Sequence, residues 1–208
     1  MSKPKPDGHD EFQAWDRHKA KLMEESLGKE FHLVMHAMIP FAVGGALDLY
    51  YYPNRPKGTG IATRELSELP GQGSSNDVFS NYELVMFTRH PIDLDAAKDE
   101  KTPFGRAHRN ISAILNSIAR YSSEAKLNPR ETCEFPEDMA RVGGKCLIFD
   151  AYSQHEDDQY GTFGLLAIIE IFRSEMDFSR NHGGMALLSR LKNKGFYPFS
   201  DLDRLPVV

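Results

Sequence analysis

The run from Thr162 to Phe172, TFGLLAIIEIF, constrains this chain most. Its apolar residues follow one another almost without a break, the pattern of a strand covered on both faces, so it belongs near the centre of a sheet. Its longest apolar piece, Gly164 to Ile169, is far too short to cross a bilayer. Tyr82 to Arg89, YELVMFTR, sets Tyr82, Leu84 and Met86 against Glu83, Val85 and Phe87, and large residues on both sides again imply double burial. Ala46 to Tyr52, ALDLYYY, alternates more cleanly: Leu47, Leu49 and Tyr51 face one side of the sheet, and Asp48, Tyr50 and Tyr52 the other. Lys145 to Tyr152 reads as a further strand, and Gly60 to Leu69 as a strand that closes in a short helical turn. Glu30 to Phe41 is β-compatible, with Pro40 marking a strand end or edge.

Helical spacing covers three other stretches. Asp10 to Leu27 places Phe12, Trp15, Lys19 and Leu22 near one face before Gly28 stops it, and core packing is the expected job of Phe12 and Trp15. Phe104 to Ala125 carries the stripe Ile111, Ile114, Leu115 and Ile118. The third helix is expected to start from Ser174 as its cap and to end at Gly195. It would bury Phe178, Met185, Leu188 and Leu191, with Gly183 and Gly184 imposing a kink or a close backbone approach. The segments Gly71 to Ser80, Leu127 to Gly144 and SQHEDDQYG read as loop, and the apolar tail after Gly195 can dock on the body. These elements predict an α+β fold, a mixed β-sheet with about three helices packed on it, in a single domain. Residues 1–28 form a leader and helix packed on a domain spanning 29–208.

A formal net charge of −5 argues against a dedicated nucleic-acid binder, which needs a basic footprint, and leaves room for a basic protein partner. Cys133 and Cys146 lie outside any CxxC spacing, as in a reducing compartment. The polar start MSKPKPDGHDEF lacks the apolar run of a secretory signal, so a cytoplasmic address and no membrane are expected.

The candidate chemical motifs dissolve on inspection. His32 and His36 on a strand stand roughly 13 Å apart, too far for one ion. GTGIAT follows a proline-rich turn and is soon followed by Pro70, so it is no phosphate loop. His155 with Glu156, Asp157 and Asp158 lacks the spaced acceptors and glycine of a calcium loop. Asn110, Ile111 and Ser112 match a glycosylation acceptor only within a helix face. Cys133 or Cys146 with His182 could form a nucleophile and base, as could a serine with any histidine, and nothing distinguishes them. No GxSxG, HExxH, P-loop or paired-cysteine signature is present, so no catalytic residue, metal or cofactor is assigned.

Across residues 30 to 204 the chain resembles the Suppressor of fused domain family of the bacterial, single-domain kind. The likeness rests on VGGALDLYYYPN, GTGIATRELSE and NYELVMFTR in the first part, and on GLLAIIEIFRSEMDFSRNHGGMALLSRLKNKGF with DLDR in the last. Within the latter, an apolar strand passes into a helix start at Glu175, then Gly183 or Gly184, then an LLxRL segment from Leu187 to Leu191. The resemblance implies an α+β binding domain without catalysis. In animals the family member is a scaffold that holds Gli transcription factors, partly through an extended peptide, and bacterial relatives have been proposed as immunity proteins against toxin domains. From the length of 208 residues the second, C-terminal domain of the animal protein, and with it a two-domain clamp on a peptide, is not expected. No partner-contacting residue carries across.

The resulting expectation is a protein-binding module, of the immunity type, that covers a toxin or another protein partner. Its candidate surface is the polar face of the opening sheet with Tyr50, Tyr52, Arg64, Glu65 and Arg89, since tyrosine and arginine are common anchors. The rival is a small-molecule enzyme or sensor with a site assembled from Asp150, His155 and His182.

Overall fold

A computed structural model describes residues 8–208; the leader expected before them lies outside the described residues. Six strands form one sheet: β1 (Tyr50–Tyr52), β2 (Thr59–Ala62), β3 (Asn81–Thr88), β4 (Thr132–Glu134), β5 (Cys146–Asp157) and β6 (Gly161–Ile171). Their spatial order is β1-β2-β3-β6-β5-β4, with β3 and β6 parallel and every other pair antiparallel. The sheet is therefore mixed, and the two strands with large residues on both faces occupy its centre. Four helices cover it: α1 (Gly8–Leu27), α2 (Pro103–Ser122), α3 (Arg173–His182) and α4 (Gly184–Asn193).

The period-2 alternation of the strands decides which helix meets which side chain. Leu84 and Met86 of β3 and Leu166 and Ile168 of β6 pack under α2 through Ile111, Ile114, Leu115 and Ile118. Leu47, Leu49 and Tyr51 join that side, as expected. The intervening residues face the other way. Val85, Phe87, Leu165 and Ala167 meet Trp15, Met23 and Leu27 of α1, while Ile148, Ile169 and Ile171 meet Met176, Leu187, Leu188 and Leu191 of α3 and α4.

Several local expectations are revised. Phe12 is 40% exposed, so Trp15 anchors α1 without it. Glu30 to Phe41 is irregular, joined to the sheet side by a bridge between Met35 and Leu49 and by the Phe31 N–H donating to the Tyr51 carbonyl at 2.8 Å, before a 3-10 turn at Phe41–Val43. Half of its residues are exposed and none is fully buried, so no buried face enforces a register. β1 and β2 are shorter than predicted, and the turn after β2 is bent rather than helical. The stretch read as irregular holds the edge strand β4, and β5 runs on through His155 to Asp157, confining the loop to the turn before Gly161. Eleven paired positions with β6 explain the extension, because ladder hydrogen bonds outweigh the polarity of the side chains.

The third helix is broken in two. Gly183 has φ 86°, and a Cβ on Gly184 would sit 1.9 Å from the carbonyl oxygen of Arg130, so the pair supplies both the kink and the close approach. Phe172, not Ser174, is the cap position: the Glu175 carboxylate reaches back to accept its N–H at 2.9 Å. Met185 is half exposed and Leu187 takes its place in the core. The tail docks as expected, with Phe199 bridging Phe87 and the Ser200 N–H donating to the Phe87 carbonyl at 2.8 Å.

Candidate binding surface

The edge next to β1 is built from the inside outwards. Glu83 of β3 is fully buried on the α1 side, where its carboxylate accepts from the Thr63 hydroxyl at 2.7 Å, the Ser67 hydroxyl at 2.9 Å, and the N–H groups of Ser67 and Leu66 at 3.1 and 3.2 Å. Lys19 of α1, 1% exposed, completes the set. Its ammonium donates to Glu83 at 3.2 Å and to the carbonyls of Arg64 and Ser67 at 2.6 and 2.7 Å. The Trp15 indole donates to the same Ser67 carbonyl at 2.7 Å. A buried pair stays tolerable only when every remaining lone pair and proton is used, and here they are. The consequence is local: the segment from Thr63 to Ser67 is pinned to α1, with Arg64 and Glu65 partly buried at its margin against Tyr50 and Asp48.

Arg64 then organises the rim. Its guanidinium lies 4.6 Å from the centre of the Tyr50 ring, and it donates to Asp16 at 2.7 Å and to Glu30 at 3.2 Å. Burial works to lower its pKa, but the hydrogen bond and charge of Asp16 prevail, so it is raised. The Tyr50 phenol is pushed up to about 12, by burial first and against the opposing pull of Arg64. Glu65 accepts the Asp48 N–H at 2.7 Å, and burial raises its pKa. Asp48 in turn accepts from the Ala37 N–H at 2.8 Å and lies 2.7 Å from the His36 ring. Asp16, Glu30, Asp48 and Glu65 thus surround one arginine and one tyrosine.

The five sequence-predicted residues do not form one patch. Tyr50, Arg64 and Glu65 share this rim. Tyr52 is fully buried in the α1-side core and donates its hydroxyl to Glu30 at 3.1 Å, because α1 covers the face read from sequence as polar. Arg89 lies beyond the end of β3 that pairs with Thr59, whereas Arg64 follows Ala62, so they sit past opposite ends of β2. Arg89 faces Phe199 at 4.9 Å and pairs with Asp203 at 3.5 Å, holding the tail. Asp16 and Glu30 went unnoticed in the sequence, since only the packing of α1 and of the irregular segment brings them to the rim, and Asp48 was placed on the face of Tyr50 but not among the candidate residues.

The rival set is not gathered. Asp150 and His155 stand five residues apart on β5, roughly 16 Å at the strand rise. Asp150 pairs with Lys192 at 3.1 Å, His155 meets the Ser26 hydroxyl at 2.8 Å, and the His182 ring packs tilted against Phe178 at the end of α3. Cys133 and Cys146 lie on neighbouring strands but out of register, opposite Leu147 and Glu134 respectively, as free thiols, both with pKa values raised by burial, away from the thiolate form a nucleophile needs. Among the described residues no group of three or more His, Cys, Asp and Glu could hold a metal ion, and no helix is long and apolar enough to cross a membrane.

No protein-family model and no curated protein matches the sequence. Solved structures do match. A chain of the Sufu-Fu complex superposes with TM-score 0.62 at 17% identity, covering 95% of this chain and 92% of that one. Drosophila Suppressor of Fused gives TM-score 0.61 at 17% identity over 95% of this chain, which spans about half of that protein (51%). A putative Suppressor of fused homologue from Neisseria gonorrhoeae FA 1090 gives 0.55 at 11% identity, covering 94% of this chain and 98% of that one. With the order of the strands and the layers of helices already set out, this chain has the fold of the Suppressor of fused domain.

Proposed function

We propose that this chain is a non-catalytic protein-binding module, an immunity-type protein that acts in the cytoplasm by covering a basic toxin domain or another basic protein partner. The observation that carries the reading is the rim beside β1, where four carboxylates surround Tyr50 and Arg64 on a backbone fixed by Lys19 and Glu83. A preorganised aromatic and arginine pair limits the ordering cost of binding, and the carboxylates steer a cationic partner and reject an anionic one. Tyr50, Arg64 and Glu65 make the contact in this reading. Tyr52 supports it from beneath through Glu30, and Arg89 supports the body of the domain by holding the tail. The likeness to a chain of the Sufu-Fu complex agrees with a binding role.

The test is capture of the partner from the native cell, identification by mass spectrometry, and titration against the wild type and the Asp48→Lys, Glu65→Lys double variant. The expected partner is basic and binds the variant at least about tenfold more weakly, as for lost charge pairs at an interface. Equal binding by the two proteins would reject the surface, and a specific acidic partner would reject the steering argument.

A further inference from the structure

The overall charge of this chain conceals a basic groove on the opposite side of the sheet. Arg106, Arg109, Ala113, Ser117 and Arg120 recur on α2 at intervals of three or four residues, one stripe of the helix, and line an open groove of about 890 Å³. Lys98 lines it from the segment before α2, and Arg141 and Lys145 line it from the loop before β5. The only acid in the lining is Glu100, which pairs with Arg109, while Lys145 pairs with Glu170 at 2.7 Å. Among the described residues Arg106 and Arg120 donate only to backbone carbonyls, Arg106 to Lys101 at 3.0 Å and Arg120 to Gly45 at 2.8 Å. Those bonds aim the two guanidinium groups without cancelling their charge. Among the described residues Lys98 and Arg141 have no carboxylate partner either.

From these observations we infer a second binding site: the α2 groove docks an extended, acidic peptide segment of a protein partner. From Arg106 to Arg120 the stripe spans roughly 21 Å at the helical rise, the length of about six extended residues. Ala46, Ala113, Ala140 and Ser117 are small members of the lining, so a peptide main chain can approach while its carboxylates reach the basic side chains. A peptide is favoured over nucleic acid because the lining contains no Phe, Tyr or Trp on which a base could stack, and because a long polyanion would meet the rest of a surface whose net charge is −5. The inference goes beyond the rim beside β1, which lies on other elements and suits the opposite charge.

The experiment uses the full chain and a fluorescein-labelled six-residue peptide alternating Glu and Ala, followed by anisotropy. Binding is expected to weaken several-fold between about 50 and 300 mM salt, as for contacts screened over a Debye length. The Lys98→Glu, Arg106→Glu, Arg141→Glu variant is expected to bind at least tenfold more weakly, and the same three positions changed to Gln are expected to fall between it and the wild type. A control with Arg17, Lys21 and Lys29 changed to Glu carries the same change in net charge on other elements and is expected to bind within twofold of the wild type. Circular dichroism melts of each protein confirm the fold, and the salt series on the wild type stands independently of any variant. Equal weakening in the groove and control variants, salt-independent binding, or displacement of the peptide by a single-stranded oligonucleotide of equal charge at lower concentration than unlabelled peptide would overturn the inference. The synthetic peptide requires no native partner, so its failure leaves the reading of the β1 rim untouched.

Discussion

Replacing Lys19 by Met isolates the contact on which the candidate surface is built. Met keeps the unbranched stem in a site that is 1% exposed, so little packing is lost and the ammonium is the main group removed. Taking one member from a buried pair costs about 3–5 kcal/mol, because the remaining charge is left uncompensated. Glu83 retains four hydrogen-bond donors, from the Thr63 and Ser67 hydroxyls and the Leu66 and Ser67 N–H groups, which places the expected loss toward the lower end. The Ser67 carbonyl also keeps its bond from Trp15, whereas the Arg64 carbonyl loses the Lys19 donor. A loss of about 3–4 kcal/mol corresponds to a fall in Tm of roughly 6–16 °C for a domain of this size. Urea unfolding followed by the single tryptophan reads the change directly, since Trp15 is buried against the same segment. Adding Glu83→Gln to Lys19→Met is expected to recover at least about 1 kcal/mol through coupling of the two sites. A loss below about 1 kcal/mol in the single variant, or no coupling in the double variant, would refute the account of this pair.

Two further outcomes follow from named contacts. His108 is buried against Tyr51 and Phe104, with the Tyr51 hydroxyl 2.9 Å from its ring, and burial lowers its pKa below the usual 6.5 while a hydrogen bond with the backbone of Ala97 opposes the shift. Its contribution is present above pH 6.5 and is lost as pH falls toward the depressed folded value, because the unfolded chain takes up the proton first, with a slope of at most about 1.4 kcal/mol per pH unit. Denaturant unfolding at a series of pH values below 6.5 should therefore show a shallower acid decline for His108→Gln than for the wild type, and parallel declines would contradict the assignment. Gly184→Ala places a methyl group 1.9 Å from the Arg130 carbonyl and is expected to cost about 1–3 kcal/mol in a thermal or urea melt, with a neutral result counting against the tight α4 junction.

The central strands were legible because burial on both faces leaves its mark on every residue: β3 and β6 carry large side chains at consecutive positions and lie side by side in the middle of the sheet. The stripe Ile111, Ile114, Leu115 and Ile118 likewise declares the buried side of α2. Edges were harder. β4 has only three residues, all partly exposed, and the polar end of β5 is a strand through its backbone pairing with β6 and not through its side chains. The arrangement of the β1 rim was half legible. Tyr50, Arg64 and Glu65 come together as residues near β1 and β2, but alternation alone could not show that α1 covers Tyr52, or that Lys19 reaches across to a carboxylate buried in β3. Such contacts join residues 64 positions apart and depend on the docking of a whole helix.

Hydrogen–deuterium exchange on this chain with and without its captured partner tests the central claim most directly. The account expects new protection in the peptides spanning residues 46–52 and 63–66 and at Asp16 and Glu30, with little change in the peptides covering His155 and His182. Protection confined to other elements, with the β1 rim exchanging as freely in the complex as alone, would contradict it.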